Sequence, residues 1–361
     1  MIYLDNAATT KPKQAVIDAI NECLINTWGN PSSLHALGKE AKSVVDKNRK
    51  IIADFIGAKP SEIIFTSGAC EANSLAICGY LKNHDCRLIT TAIEHKSIMN
   101  IVADYKDKTT IISVDESGFV DMDSLAAALQ KGPSLVSIQY ANNEIGTIQN
   151  INAISTLVHS HGGILHTDAT QAIANGKINV SHVDMLSFSG QKIGAPKGIG
   201  VLYVKRGISL KPIVYGSQEK SMRGGTENVP YIAGLGAAID NIDYPSSDIK
   251  DYFVRRVLSE INGSYLVGAM QRLNNNASIC FPGINGEILL LMLNDRDIYA
   301  SSGSACNHEP SHVLKSIGLS DEDVKSTIRF TFGEQTKDEV NYVVDSLIDI
   351  VKILNKCNKT E

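Results

Sequence analysis

Short apolar runs alternate with stretches of helical periodicity through the first two thirds of the chain. Glu62-Ile-Ile-Phe-Thr precedes a helical pattern over 69–81, Arg87-Leu-Ile-Thr-Thr one over 96–105, and Leu135-Val-Ser-Ile-Gln-Tyr, after a loop, one over 151–161. Gly163-Ile-Leu-His-Thr-Asp, Met185-Leu-Ser-Phe-Ser and Gly200-Val-Leu-Tyr-Val add further strands. Continuous rather than alternating apolar runs predict strands buried on both faces, in a mainly parallel sheet covered by helices. In such α/β sheets ligands bind beyond the carboxyl ends of the strands.

The pattern changes at Ile242-Asp-Tyr-Pro-Ser-Ser-Asp, where Pro, Ser and Asp cluster after the apolar helical stretch 231–239. A boundary there predicts a large domain over 12–243 and a smaller α+β domain made of 1–11 and 244–361. The second part reads as a helix over 248–261, short strands at Ala277-Ser-Ile-Cys-Phe, Ile298-Tyr-Ala-Ser and Ser326-Thr-Ile-Arg-Phe-Thr, and a helix over 337–354. Val340, Val343, Val344, Leu347, Ile348 and Val351 place one apolar stripe on that last helix, a packing face.

Composition narrows the function. At 361 residues, 43% hydrophobic and 20% charged, the chain is long enough for about two globular domains. Its net charge of −5 supplies no sequence-wide attraction to nucleic acid or anionic lipid. The start lacks a basic segment followed by an apolar one, and no run of 18 apolar residues occurs, so a soluble cytoplasmic protein without a membrane span is expected. Seven cysteines without a C-x-x-C pair form no disulfide framework and present no zinc-binding pattern. His159 and His161, two apart at a helix end, would not share a face, and no metal is expected.

Five residues and one segment carry candidate chemistry. Lys192 follows a strand inside Ser187-Phe-Ser-Gly-Gln-Lys-Ile-Gly-Ala-Pro-Lys-Gly. Taken alone it is a solvated loop lysine; in a tight, desolvated strand-end loop its pKa would fall and it could form a Schiff base with a carbonyl. Asp168 ends the strand of Gly163-Ile-Leu-His-Thr-Asp-Ala-Thr-Gln, where a helix cap is the simpler role. A strand-end carboxylate one step before a buried lysine, however, is what pyridoxal phosphate requires, one group keeping the pyridine nitrogen protonated and the other holding the aldehyde. Cys306 lies in Ala300-Ser-Ser-Gly-Ser-Ala-Cys-Asn-His-Glu-Pro, a polar run that would expose a thiol, whereas Cys280 reads as buried in a strand. Arg329 sits in an apolar strand and needs an anionic partner, which a substrate carboxylate would supply. Thr66-Ser-Gly-Ala-Cys-Glu gives a strand, a glycine turn and a helix start suited to an anion. His95 follows a strand and could stack on an aromatic cofactor or move a proton. Gly234-Leu-Gly236 lies in a helical stretch without a preceding strand and is no dinucleotide site.

With these residues assembled, the chain resembles the cysteine desulfurases of the NifS/IscS type, within the pyridoxal-phosphate-dependent class V aminotransferase superfamily. The resemblance runs nearly end to end, through Tyr3-Leu-Asp-Asn-Ala-Ala-Thr-Thr, Gly29-Asn-Pro-Ser-Ser-Leu-His, Phe65-Thr-Ser-Gly-Ala, Asn142-Asn-Glu-Ile-Gly, His166-Thr-Asp-Ala-Thr-Gln, Arg223-Gly-Gly-Thr-Glu-Asn and Ser301-Ser-Gly-Ser-Ala-Cys. It implies an α/β protein of the pyridoxal-phosphate transferase fold type I. It implies Lys192 as the cofactor lysine, Asp168 on the pyridine nitrogen and His95 stacked on the ring. Asn143 and Gln171 would contact ring substituents, with Ala69, Cys70, Ser189 and Gln191 at the phosphate. Thr226 would reach the phosphate of a neighbouring subunit, which implies a homodimer. Asn30 and Arg329 would bind the substrate carboxylate, and Cys306 would accept sulfur from L-cysteine, releasing L-alanine. An iron–sulfur scaffold or a tRNA-thiolation enzyme would receive the sulfur. The same Lys192 and Asp168 would also serve a selenocysteine lyase or another class V enzyme, and a non-catalytic sulfur carrier is the remaining alternative.

Three positions depart from the family pattern. Gln191 replaces the usual histidine before the lysine and cannot titrate, Cys70 replaces a threonine hydroxyl, and only Asn307 and His308 separate Cys306 from Glu309-Pro310. The shorter segment reduces reach, at about 3.5 Å per residue, and predicts more restricted handover of sulfur.

Overall fold

The computed structural model of the chain describes residues 1–303 and 310–357. The first strand, β1 (Ile2–Tyr3), lies apart from the main sheet. That sheet has seven strands: β2 (Ile63–Thr66), β3 (Arg87–Thr91), β4 (Thr109–Ile112), β5 (Ser134–Ser137), β6 (Ile164–Asp168), β7 (Met185–Ser189) and β8 (Gly200–Val204), in the order β2-β8-β7-β6-β5-β3-β4. Neighbours from β7 through β4 are parallel, and β8 alone runs antiparallel to both β2 and β7. The expected mainly parallel sheet is present. Its central strands are buried along their length, which is why they carry apolar residues at consecutive positions.

Helices cover both faces. On one side lie α1 (Gln14–Asn26), α2 (Ala36–Ile56) and, later in the chain, a helix over Val229–Asp240; on the other lie α3 (Ala69–Leu81) and α4 (Lys96–Asp104). Two shorter helices, α5 (Met122–Leu129) and α6 (Ile151–Ser160), complete the first layer, and Val229–Asp240 is α7. The glycines of Gly234-Leu-Gly236 fall inside α7, as the helical pattern there predicts. Four elements escape the apolar-run pattern. Helix α1 buries only Val16 and Cys23, α2 is polar over most of its surface, β4 is a half-exposed edge strand, and α5 comes after it across the loop 113–121. In α2 the inward stripe is Ala41, Val45, Asn48, Ile52 and Ile56, and the helix ends on the left-handed Gly57.

A second core gathers around α8 (Asp248–Glu260), β9 (Tyr265–Leu266), β10 (Asn276–Cys280), α9 (Gly286–Asn294), β11 (Ile298–Tyr299), α10 (His312–Ser316), α11 (Asp321–Lys325), β12 (Thr327–Thr331) and α12 (Lys337–Cys357). Strand β10 is central, antiparallel to β12 and β9. The apolar stripe of α12 packs into this core, joined by Ile2 and Leu4, because β1 pairs in parallel with β11. Cys280 is fully buried, and burial pushes its thiol up to about 11.

The loop 142–146 docks the two cores. The Asn143 carbonyl accepts from Arg329 Nη1 (3.1 Å), the Glu144 carbonyl from Asn276 Nδ2 (3.2 Å), and Gly146 O from the Leu273 amide (2.9 Å). Ser311 Oγ donates to Glu144 Oε2 at 2.5 Å. Gly146 has a φ of 76°, and a Cβ there would lie 2.6 Å from Asn276 Oδ1, so the tight turn and the close approach both require glycine. A second constraint lies at Glu219, Lys220 and Ser221, three consecutive non-glycine residues at φ of 44°, 59° and 62°. Glu219 holds this left-handed turn in place, accepting from both Arg49 terminal nitrogens (2.8 and 2.6 Å) and from the Phe65 amide (2.9 Å).

Candidate active site

Four strands deliver the site. Because β2, β3, β6 and β7 point the same way, the segments leaving their carboxyl ends carry Gly68 to Cys70, His95, Asp168 and Lys192 to one edge of the sheet.

Lys192 closes the turn after β7, and its Nζ donates to the carbonyls of Ala7 (2.7 Å) and Ala8 (2.5 Å). Burial lowers its pKa to about 8; Arg329 pushes the same way, and Asp5 and Asp168 oppose. It is therefore the desolvated lysine that the sequence suggested, parked against the segment 5–10. The amides of Gln171 and Gln191 donate to the same two carbonyls, at 3.1 and 3.4 Å.

Asp168 is 7% exposed. Its Oδ1 accepts from the Thr170 amide (2.9 Å), the local cap-like contact expected of an aspartate at a strand end, and its Oδ2 accepts from Asn73 Nδ2 (2.7 Å). Asn73 also donates to Ser97 Oγ (3.0 Å), which lies 2.8 Å from His95 Nδ1. A hydrogen-bonded chain thus joins Asp168 to His95, through two residues that sequence patterns gave no reason to select. His95 is exposed and caps α4, its Nδ1 accepting from the Ser97 amide at 3.1 Å. Desolvation nevertheless lowers its pKa, favouring the neutral ring. Beneath Asp168, the buried His166 is held between Ser137 Oγ and Ser187 Oγ, each at 2.9 Å, and burial lowers its pKa to about 4.

The residue before His95 is also buried. Glu94 accepts from Thr91 Oγ1 (2.6 Å) and the Gln139 amide (3.0 Å), and desolvation raises its pKa to about 8. Gln139 and Asn142 both donate to Ile93 O, and His312 Nε2 lies 2.9 Å from Glu94 O. The loop that aims His95 is fixed from three sides. Only tertiary contact reveals Glu94, since a single glutamate beside a histidine has no spacing signature.

At the start of α3, Gly68 offers no side-chain cap, which leaves the amides of Ala69 and Cys70 without a side-chain acceptor. Within 4 Å a Cβ on Gly68 would meet only Ser189 Oγ, at 3.7 Å. Cys70 is exposed here, and its thiol pKa is raised by burial of the sulfur and by Asp168. An uncapped helix start beside a serine hydroxyl suits an anion.

Arg329 is 3% exposed. The anionic partner that its burial demands is present within the chain: Nη2 donates to Asp5 Oδ1 at 2.8 Å, while Nη1 is taken by Asn143 O and Nε is buried without a partner. Backbone bonds between Ser301 and Arg329 (3.2 and 2.7 Å) bring the strand end that precedes Cys306 beside it. Cys306 itself lies outside the described residues. Asn30 and Thr226 are exposed, and Pro31 and Glu227, next to them in sequence, line one recess. No hydrogen bond joins Asn30 or Thr226 to the Lys192 group among the described residues. His159 is bonded to Asp184 (2.7 Å), and no three potential metal ligands gather among the described residues.

The profile of the aminotransferase class-V family matches residues 2–343. The chain belongs to the class-V aminotransferase family. Among class-V relatives, it is 40% identical to the cysteine desulfurase IscS of Dictyoglomus turgidum, over 98% of this chain and 95% of that protein. It is 38% identical to the cysteine desulfurase IscS of Methanosarcina thermophila, over 98% and 92%. Among solved structures it is similar to a NifS-like protein at a TM-score of 0.91, with 29% identity over 98% of this chain and 100% of the other. SspA in complex with cysteine matches at a TM-score of 0.82, with 32% identity over 92% and 99%. Enzymes of this class-V family generally use pyridoxal phosphate, as the sequence resemblance implies.

Proposed function

We propose that the protein is a pyridoxal-phosphate-dependent cysteine desulfurase that converts L-cysteine to L-alanine and leaves a persulfide on Cys306. The observation that carries this is full-length similarity to named cysteine desulfurases joined to the geometry at Lys192. The residues present fit the cofactor. Lys192 is a partly deprotonated amine near neutrality, Asp168 is a buried carboxylate, and the start of α3 with Ser189 is an open anion cradle. Ala69, Cys70, Ser189 and Gln191 would take the phosphate, Asn143 and Gln171 the ring substituents, Asp168 the ring nitrogen and His95 the ring face, with Thr226 entering from a second copy. When bound, the cofactor supplies an electron sink that makes the substrate Cα proton removable.

The chain does the rest. Arg329 and Asn30 orient the substrate carboxylate. Lys192, freed as a neutral amine, takes the Cα proton, and the neutral His95 stays available to relay one. The Cys306 thiolate attacks the substrate sulfur, the Cβ–S bond breaks, and Cβ gains a proton, so that L-cysteine plus a thiol becomes L-alanine plus a persulfide. The short segment after Cys306 restricts transfer to acceptors, such as an iron–sulfur scaffold or a tRNA-thiolation enzyme, that bring their own thiol close.

Residues 12–243 act as the cofactor domain, and 1–11 with 244–361 as the smaller one. Trp28, Leu34 and Tyr215, 70%, 89% and 82% exposed, support a homodimer. Cys23, Cys70, Cys78, Cys86 and Cys280 carry free thiols, which supports a reducing, cytoplasmic setting, and no described helix is long and apolar enough to cross a membrane. Incubation with L-cysteine should yield alanine and a mass increase of one sulfur on the peptide carrying Cys306, both lost in Cys306→Ala. A keto acid instead of alanine, or Cys306→Ala releasing alanine at the wild-type rate, would overturn the assignment.

A further inference from the structure

We propose that Asp5 is the resident counter-ion of Arg329 and that its charge sets how tightly the site holds a substrate or product carboxylate. The inference rests on the reading of Arg329 as the carboxylate-binding residue, and it makes Asp5 a positioning residue acting through that guanidinium.

Arg329 lies on β12 with 3% exposure, where a guanidinium keeps its charge and requires a compensating one. Asp5 supplies it with a single oxygen at 2.8 Å. Asn143 O, a neutral acceptor, occupies Nη1, and the buried Nε has no acceptor. The guanidinium is thus neutralised but not saturated. Charge is balanced, while three of the five N–H donors, Nε–H among them, have no acceptor among the described residues, and a carboxylate matches them.

A carboxylate arriving at this pair meets the attraction of Arg329 and the repulsion of Asp5 together. Recognition then depends on hydrogen-bond geometry more than on net charge. The consequence is kinetic. L-Cysteine and L-alanine carry the same α-carboxylate, so a strong contact with Arg329 would bind substrate and product alike and slow release without aiding chemistry. Asp5 weakens that uniform contact. Its place supports the role, for Asp5 begins the segment whose Ala7 and Ala8 carbonyls hold Lys192, so both cations of the site rest on one stretch of chain.

The test compares L-alanine with L-alaninamide, which lacks the carboxylate, by calorimetric titration of holoenzyme whose cofactor content is checked by absorbance. Asp5→Asn keeps an acceptor oxygen for Nη2 and removes the charge. It should bind L-alanine about tenfold tighter than wild type with L-alaninamide unchanged, and Asp5→Glu should restore the wild-type ratio. Should Asp5→Asn not accumulate as folded holoenzyme, Asp5→Ser carries the same expectation. An acid-to-amide ratio that stays equal or falls in the uncharged variant overturns the proposal. A wild-type protein indifferent to acid or amide rejects the Arg329 reading and this inference with it. A wild-type protein that makes no alanine from L-cysteine rejects the desulfurase reading, while the acid-to-amide ratio still decides the role of Asp5.

Discussion

Burial acts in opposite directions on the groups around Lys192, and each shift has a measurable outcome. An ordinary lysine loses its proton near pH 10.4, whereas desolvation brings Lys192 to about 8. The neutral amine is the form that bonds a carbonyl, and below its pKa it is protonated and inert. The rate at which apoprotein captures pyridoxal phosphate should therefore rise with pH through a midpoint near 8. A midpoint close to 10 would show that Lys192 is solvated after all. Asn73 offers a second check, since it donates to Asp168 and to the Ser97 that steadies His95. A hydrogen bond to a charged group contributes about 1.5–3 kcal/mol, so Asn73→Ala should lower kcat by about ten- to a hundredfold while the cofactor absorbance persists. Unchanged turnover would remove Asn73 from the machinery. Lys192 and Asp168 were legible in the sequence because each ends an apolar strand run, and strand ends are where α/β sheets bind ligands. Asn73, Glu94 and Asp5 were not legible, because each matters through a partner 95, 45 or 324 positions away.

Elements meet closely where β8 passes the start of α3. A Cβ on Gly200 would lie 2.5 Å from Gly68 Cα, backbone that cannot turn aside. Gly200→Ala should cost about 1–3 kcal/mol by overpacking and should weaken cofactor binding as the helix start shifts, seen as a lower melting temperature and a higher dissociation constant for pyridoxal phosphate. The left-handed turn at 219–221 provides a contrasting case. Arg49→Ala would strand the buried Glu219 carboxylate and should destabilise the protein by about 3–5 kcal/mol in denaturant titration. A loss within 1 kcal/mol would mean that solvent already reaches that carboxylate. The strands and the helices that follow them directly were readable, since continuous apolar runs have few other uses. Helices α1 and α2 and strand β4 were less so: α1 carries apolar residues on exposed as well as buried positions, and those of α2 and β4 occupy one stripe or one edge diluted by polar neighbours.

The whole molecule depends on chain order less than on where the ends return. Residues 2–4 join the second core although nearly 300 positions separate them from β11, and the composition change near 243 gave no sign of how that core attaches to the first. One strong attachment is the loop 142–146, which meets β10, β12, the segment before β10 and Ser311. With so many bonds in so few residues, neither core can lose its order and leave the other's loop intact. Heating should therefore melt apoprotein in a single calorimetric transition rather than two, and Glu144→Ala, which breaks the bond to Ser311, should split or broaden it. What serves the site as a bracket serves the chain as the seam through which two cores fold and unfold as one cooperative unit.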